Sequence, residues 1–255
     1  MTHHRMHWPP RVPPWPMNAE ELVAVQDQLA RVMGGPWRTP SEIGRVAACF
    51  VCFERGGTGP GDAGDRGWAG ACLIRAEGEP HTSVVRGMAE AQYEPGFLAL
   101  REGRLLEAAL RSLPAAPDLL VVNATGRDHA RRAGLALQLG ARLDIPSIGV
   151  TNRPLLATGA LPEDRRSATS PLWIGDEIVA SWVRTRSGTR PLVAHPGWRT
   201  NPDQAVELLL RMTTRWRTPQ PLRIARQAAR LARATSGGAQ DRPGGSSCPV
   251  QPRIR

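Results

Sequence analysis

Asp118-Leu119-Leu120-Val121-Val122-Asn123 is an unbroken run of four apolar residues closed at each end by a polar one. A strand with one wet face alternates apolar and polar side chains. A short run without alternation has the pattern of a central strand covered on both faces. Val46-Ala-Ala-Cys-Phe-Val-Cys-Phe53 reads as a second buried strand. A loop rich in Gly and Asp follows over 54–67, and strands over 68–75 and 83–88 pair back on it. Downstream, 98–113 and 131–143 have helical periodicity, 147–150 is a strand, two short strands flank Gly175-Asp176 within 172–184, and 191–194 is a last strand. Asn201-Pro202 opens a helix with a cap and a proline at its first position, and 221–234 forms the final helix. A hairpin followed by alternating helices and strands predicts one α/β domain, a mixed sheet with helices on both faces. Such sheets bind ligands beyond the carboxyl ends of their central strands, and Asn123 stands at one such end.

The domain is expected to span 18–234. Residues 1–17, rich in Pro, His and Trp, read as a disordered leader, with Met17 a second candidate for the first residue; 235–255 read as a disordered tail. A helix over 19–33 is capped by Asn18, with Glu21 placed to return the bond. Its apolar stripe is Leu22, Val25, Leu29 and Val32, and Gly34-Gly35 end it. There is no run of about 18 apolar residues and no apolar signal core, so a cytoplasmic location without membrane contact is expected.

The net charge of +10 predicts a polyanionic partner, nucleic acid first among them. All 33 basic residues are Arg. The missing Lys reflects GC-rich coding bias, so the Arg count overstates selection for phosphate binding, and it excludes any ammonium side chain from the chemistry. Cys49 and Cys52 form C-x-x-C, but inside an apolar strand. A redox pair would precede a helix, and zinc would need two more ligands, so both read as small core residues.

Glu102 is the most informative carboxylate. With Leu98, Leu105 and Ala109 it falls on the inward stripe of its helix, where a buried carboxylate needs a cation or a hydrogen-bond partner. A metal ligand and a salt bridge to one of the many Arg both satisfy that need. Arg223, Arg226, Arg230 and Arg233 share a face of the last helix, which either follows a phosphate backbone or is simply solvated. No phosphate-loop pattern, nucleophile elbow or His-Glu-x-x-His is present.

Taken in order, the segments resemble endonuclease V over residues 20–232. Tyr93-Glu-Pro-Gly-Phe-Leu-Ala-Leu-Arg-Glu102 is similar to that family's Pro-Tyr-x-Pro-Gly-Phe-Leu-x-x-Arg-Glu block. Asp118 to Gly126 and His129 to Gly134 resemble the block holding its Asp-Gly-x-Gly and His-Pro-Arg. Asp144 to Val150, His195 to Arg199 and Pro221 to Arg226 continue the match. The resemblance implies a ribonuclease H-like fold. It also implies a Mg²⁺-dependent cut near deoxyinosine in DNA or inosine in RNA, with a wedge Tyr beside the lesion and the modified base flipped into a pocket. A family of DNA-repair nucleases is thereby indicated.

Carried over residue by residue, the resemblance retains Glu102 but replaces four other catalytic positions. Phe50 stands at the first Asp, Asn123 at the next, Asn152 at the family's Lys and Trp198 at its His. Phe offers a metal no lone pair, and an amide is a weaker Mg²⁺ ligand than a carboxylate. Tyr93, Pro95, Gly96 and Leu98 keep the wedge and pocket frame, and Gly126, His129, Arg131 and Arg132 keep part of the third block, while Ala124 replaces a pocket Gly. With Arg223 and Arg226, these residues are the expected nucleic-acid contacts. The leading expectation is a monomeric pseudoenzyme that binds DNA or RNA, with no cofactor. The alternatives are an active Mg²⁺ endonuclease whose ligands are rebuilt from Asp62, Asp65 and Asp128 around Glu102, and a repurposed pocket, lined by Phe50 and Trp198, for a small molecule or a partner protein.

Overall fold

The computed structural model describes residues 14–32, 37–54 and 60–237. The expectations for residues 1–13, Gly34-Gly35 and the chain beyond 237 lie outside the described residues. Where they overlap with them, two boundaries move. Trp15, assigned above to the leader, is only 6% exposed; its indole N–H donates to Glu107 Oε2 at 2.5 Å. The last helix continues to Gly237.

In chain order the elements are α1 (Ala19–Arg31), β1 (Arg45–Phe53), β2 (Arg66–Arg75), β3 (His81–Met88), α2 (Leu98–Arg111), β4 (Leu119–Val122), α3 (Leu135–Leu143), β5 (Ser147–Thr151), β6 (Thr169–Ile174), β7 (Glu177–Val183), β8 (Leu192–Pro196), α4 (Pro202–Arg211) and α5 (Gln220–Gly237). The eight strands form one sheet in the order β3-β2-β1-β4-β5-β8-β7-β6. β1, β4 and β5 run parallel at its centre, and antiparallel strands flank them on both sides. The apolar run 119–122 is therefore the central strand, and all four of its side chains are buried.

Alternation along β1 separates the two faces. Ala47 and Cys49 pack with α1, α2 and α3. Ala48 packs on the opposite side, toward α4, and Phe50 and Cys52 lie with Ala229 and Ala232 of α5. Cys49, Cys52 and Cys72 are free thiols in this core. Among the described residues, no helix is long and apolar enough to cross a membrane.

Local signals hold at both capped helices. The Asn18 side chain accepts from the Glu21 N–H at 2.9 Å, while Glu21 returns bonds to the Met17 N–H and to the Asn18 amide rather than to the Asn18 backbone. Asn201 and Gln204 form a reciprocal capping box. Two expectations fail. Val32 is exposed and leaves the stripe, while Gln26, a polar residue, is fully buried on α1. The helix expected from 131 starts at Leu135, because Arg132 adopts a left-handed φ of 54° that no α-helix continues through.

One contact sets the height of α5 above the sheet. Gly70 of β2 lies directly opposite Phe50 of β1. A Cβ at Gly70 would stand 2.4 Å from the Ala225 carbonyl oxygen and 3.0 Å from the Ala229 nitrogen. Only a residue without a side chain lets helix backbone approach strand backbone this closely. Gly70→Ala is expected to destabilise the protein by about 1–3 kcal/mol through overpacking, measured by urea denaturation; an unchanged midpoint would show that α5 does not rest on β2 in this way.

Candidate nucleic-acid interface

The carboxyl ends of β4 and β5 open into a cavity of about 350 Å³. One wall is the segment Tyr93–Gly96 with Leu98 of α2; the other walls are Asn123–Thr125, His129 and Thr151–Leu155. The structure thus gathers Tyr93, Pro95, Gly96, Leu98, Asn123, His129 and Asn152 from separate parts of the sequence. Ala124 also reaches this cavity. Tyr93 is 40% exposed at its rim, and its N–H donates to the Gly61 carbonyl at 2.9 Å.

The tyrosine-bearing loop is fixed from behind. Gly96 takes a φ of 87°, in the left-handed region that favours glycine. Its carbonyl accepts from Gln26 Nε2 at 3.0 Å and from His129 Nε2 at 3.1 Å. The Arg131 N–H donates to His129 Nδ1, so the single proton of a neutral ring belongs on Nε2, where it is donated to Gly96. Burial lowers the His129 pKa and keeps the ring neutral.

Several residues expected to meet nucleic acid make bonds within the fold. Arg131 Nε donates to Gln26 Oε1 at 2.5 Å, and its guanidinium lies 4.7 Å over the Phe97 ring. Arg132 donates to Glu177 at 2.8 Å and to the carbonyls of His129 and Ile174. Gly126 is a packing residue, since a Cβ there would lie 1.8 Å from the Pro196 carbonyl oxygen. Asp128, a candidate metal ligand, is completely buried and accepts the backbone N–H groups of Leu155, Leu156 and Ala157 at 2.6, 2.9 and 2.8 Å. It clasps the far wall of the cavity.

The other proposed carboxylates do not assemble a site either. Asp65 pairs with the buried Arg101 at 2.6 Å, and Arg101 also donates to the Asp62 carbonyl. Among the described residues, no group of three His, Cys, Asp or Glu side chains is arranged to hold a metal ion. The rebuilt set of Asp62, Asp65 and Asp128 around Glu102 is therefore corrected. Glu102 itself makes no ion pair or hydrogen bond to another described residue. Burial pushes its pKa up to about 7, opposed only by the charge of Arg101.

Trp198 also falls elsewhere. Its indole N–H donates to Asp144 at 3.1 Å, and its backbone bonds Ser147, the first residue of β5. Asn152 follows the last residue of that strand, so Trp198 and the cavity lie at opposite ends of it. Among the described residues, Phe50 and Trp198 do not line the cavity together.

At the Phe50 and Asn123 positions a guanidinium takes the place available to a cation. The parallel pairing of Cys49 with Val122 brings the next residues, Phe50 within β1 and Asn123 just past the end of β4, level with each other. Arg226 of α5 donates to Asn123 Oδ1 at 3.3 Å and stacks 5.1 Å from the centre of the Phe50 ring. Phe50 has no donor atom, and the Asn123 oxygen is occupied by a guanidinium proton. Of the three, only Glu102 offers a carboxylate, so this donor set does not fit a divalent cation. Asn152 is matched in the same way, its Oδ1 accepting from Arg217 Nη2 at 3.1 Å. The Arg face of α5 is accordingly not simply solvated: Arg230 also stacks on Phe50, Arg223 on Trp216, and Arg233 donates to the Phe53 carbonyl. Sequence reading missed Arg217, Gln26 and the clasping role of Asp128. Only Gln26 carried a local signal, a polar residue four positions after Leu22 on an inward stripe.

The raised pKa of Glu102 has a defined sign. Its protonated form is favoured by the fold, so that stabilisation is complete below pH 4.5 and is lost as pH rises through about 7. Glu102→Gln removes the loss. The variant is expected to match the wild type at pH 4.5 and to exceed it by about 1–3 kcal/mol at pH 8, read from chemical denaturation at both pH values. Equal stability at pH 8 would reveal a partner for the carboxylate.

Comparison with known proteins gives the family and the fold. A family model for endonuclease V matches residues 61–227. Endonuclease V of Streptomyces coelicolor is 36% identical over 219 residues, covering 86% of this chain and 92% of that protein. That of Methanopyrus kandleri is 45% identical over 142 residues, covering 56% of this chain and 61% of its own length. The crystal structure of endonuclease V from Streptomyces avermitilis superposes with a TM-score of 0.77 at 32% identity, covering 89% of this chain and 98% of that one. The mixed sheet is the ribonuclease H-like arrangement, and the chain belongs to the endonuclease V family.

Proposed function

We propose that this protein binds nucleic acid at the cavity beside Tyr93 and does not cut it. The observation that carries the reading is the Arg226 guanidinium seated on Asn123 beside Phe50, where the family resemblance implies carboxylates around Mg²⁺. The class of ligand is supported by a relative: the Ciona intestinalis endonuclease V structure, at a TM-score of 0.70 and 17% identity, is a complex with a 24mer DNA containing an inosine followed by a ribo-adenosine.

Binding and cutting draw on different residues here. The cavity of about 350 Å³ falls in the ordinary range for a small-ligand site, and its frame (Tyr93, Pro95, Gly96, Leu98) follows the family block. An exposed aromatic at a cavity rim stacks on a base with about 1–3 kcal/mol, and this term requires no metal. All the residues involved come from one chain, so a monomer suffices. The substitutions fall instead on the groups that would bind and polarise a phosphate through a metal.

The reading is tested by incubating inosine-containing DNA and RNA with the protein and Mg²⁺ or Mn²⁺, scoring cleavage and binding on the same samples. The strands are expected to stay intact and to be retained with a preference for inosine over guanosine. Tyr93→Ala is expected to weaken that binding by about 5- to 150-fold. Cleavage that disappears in Glu102→Ala would overturn the non-cutting reading. Absence of both cutting and binding would leave the cavity to a small molecule or a partner protein.

A further inference from the structure

Beside the cavity lies a cluster of positive charge that no acid among the described residues pairs with. Arg217 and Arg226 each feel other arginines: Arg190 acts on Arg217, and Arg230 and Arg217 act on Arg226. Arg217, Arg226 and Arg230 enter no ion pair among the described residues. Arg45, Arg66, Arg101, Arg104, Arg111 and Arg132, by contrast, each pair with a carboxylate. Arg226 Nε is moreover buried with no hydrogen-bond partner. Gathering like charges while leaving a buried donor unmade costs free energy in the empty protein.

The groups that hold these arginines are all neutral. Asn123 Oδ1 accepts from Arg226 Nη2 at 3.3 Å, and Asn152 Oδ1 accepts from Arg217 Nη2 at 3.1 Å. The Phe50 ring carries the guanidinium groups of Arg226 and Arg230 at 5.1 and 5.7 Å. A carboxylate in either amide position would orient the guanidinium equally well and would also cancel its charge. An amide orients it and leaves the charge whole, and an aromatic face does the same. Three substitutions that remove metal and proton chemistry thus share one positive result, a set of aimed and unneutralised guanidinium groups.

We propose that Arg217, Arg226 and Arg230 form a phosphate site that holds one backbone phosphate of a nucleic-acid strand whose neighbouring base enters the cavity. Planar guanidinium forks match phosphate oxygens in pairs, and Asn123 and Asn152 are shared between this site and the cavity wall. The site replaces grip by a metal with grip by fixed side-chain charge. Its ligand class rests on the nucleic-acid reading above. The same chemistry would accept free inorganic phosphate.

The test uses the full chain and two probes, a fluorescein-labelled single-stranded oligonucleotide with one inosine, followed by anisotropy across a NaCl series, and inorganic phosphate, followed by ³¹P line broadening. Arg226→Gln is expected to weaken oligonucleotide binding about tenfold and to lower the slope of log Kd against log salt by about 0.7, one phosphate contact on a single strand. Its preference for inosine over guanosine should persist. Asn123→Asp is expected to lose binding in the same way while its melting temperature holds or rises, because the introduced carboxylate pairs with Arg226; this variant separates lost charge from lost folding. Wild-type affinity and salt slope in both variants would overturn the phosphate site, and if Tyr93→Ala still abolished inosine preference the reader function would stand without it. Broadening of the phosphate resonance that Arg226→Gln abolishes, in a protein that retains no oligonucleotide, would keep the site with free phosphate as its ligand and overturn the strand reading. Neither signal in the wild type would overturn both.

Discussion

The close approach of α5 to the sheet over Gly70 governs the rest of the molecule. Ala225 and Ala229 present almost no side chain at this seam, so the helix lies low across β1 and β2. Its longer side chains at 226, 230 and 233 then reach over β1, two to the Phe50 ring and one to the Phe53 carbonyl. Phe50, opposite Gly70 in the strand pair, becomes the surface on which two of them rest. A larger residue in the seam would lift the helix and take the arginines with it.

The cavity next to this seam is held by buried polar bonds rather than by apolar packing alone. Gln26 of α1 ties the Gly96 carbonyl to Arg131, and His129 braces the same carbonyl. Asp128 fixes the opposite wall through three backbone amides. Such groups are stable only when fully partnered, because an unmade bond away from water costs about 1–3 kcal/mol. Arg131, Arg132 and Asp128, which resemble ligand-binding residues in sequence, hold up the walls of a site whose interior they do not enter.

On the proposed reading, the charge of the site is inverted relative to what the family resemblance implies. Acidic groups that would gather a cation give way to neutral ones that hold cationic side chains, and Glu102 is left without a counter-ion and with its proton favoured up to about neutral pH. A phosphate chain needs positive charge in either arrangement. Here that charge is covalently part of the protein and is set in place by folding.

The sequence by itself determined the sheet and most of its helices. Apolar runs at 46–53 and 119–122, the cap at Asn18 and the Asn201-Pro202 start are signals carried by residues within a few positions of each other, and local periodicity expresses them directly. The block from Tyr93 to Glu102 likewise located one wall of the cavity. Tertiary structure alone decided which polar residues meet. Arg226 and Asn123 are 103 positions apart, and Arg217 and Asn152 are 65 apart; no period or spacing encodes such pairs. Trp198 lies within a good local match yet sits at the far end of β5, and Asp128 turns inward to backbone amides instead of toward a metal. Both outcomes depend on strand order and on the depth at which a helix packs, quantities that exist only once the whole sheet has formed.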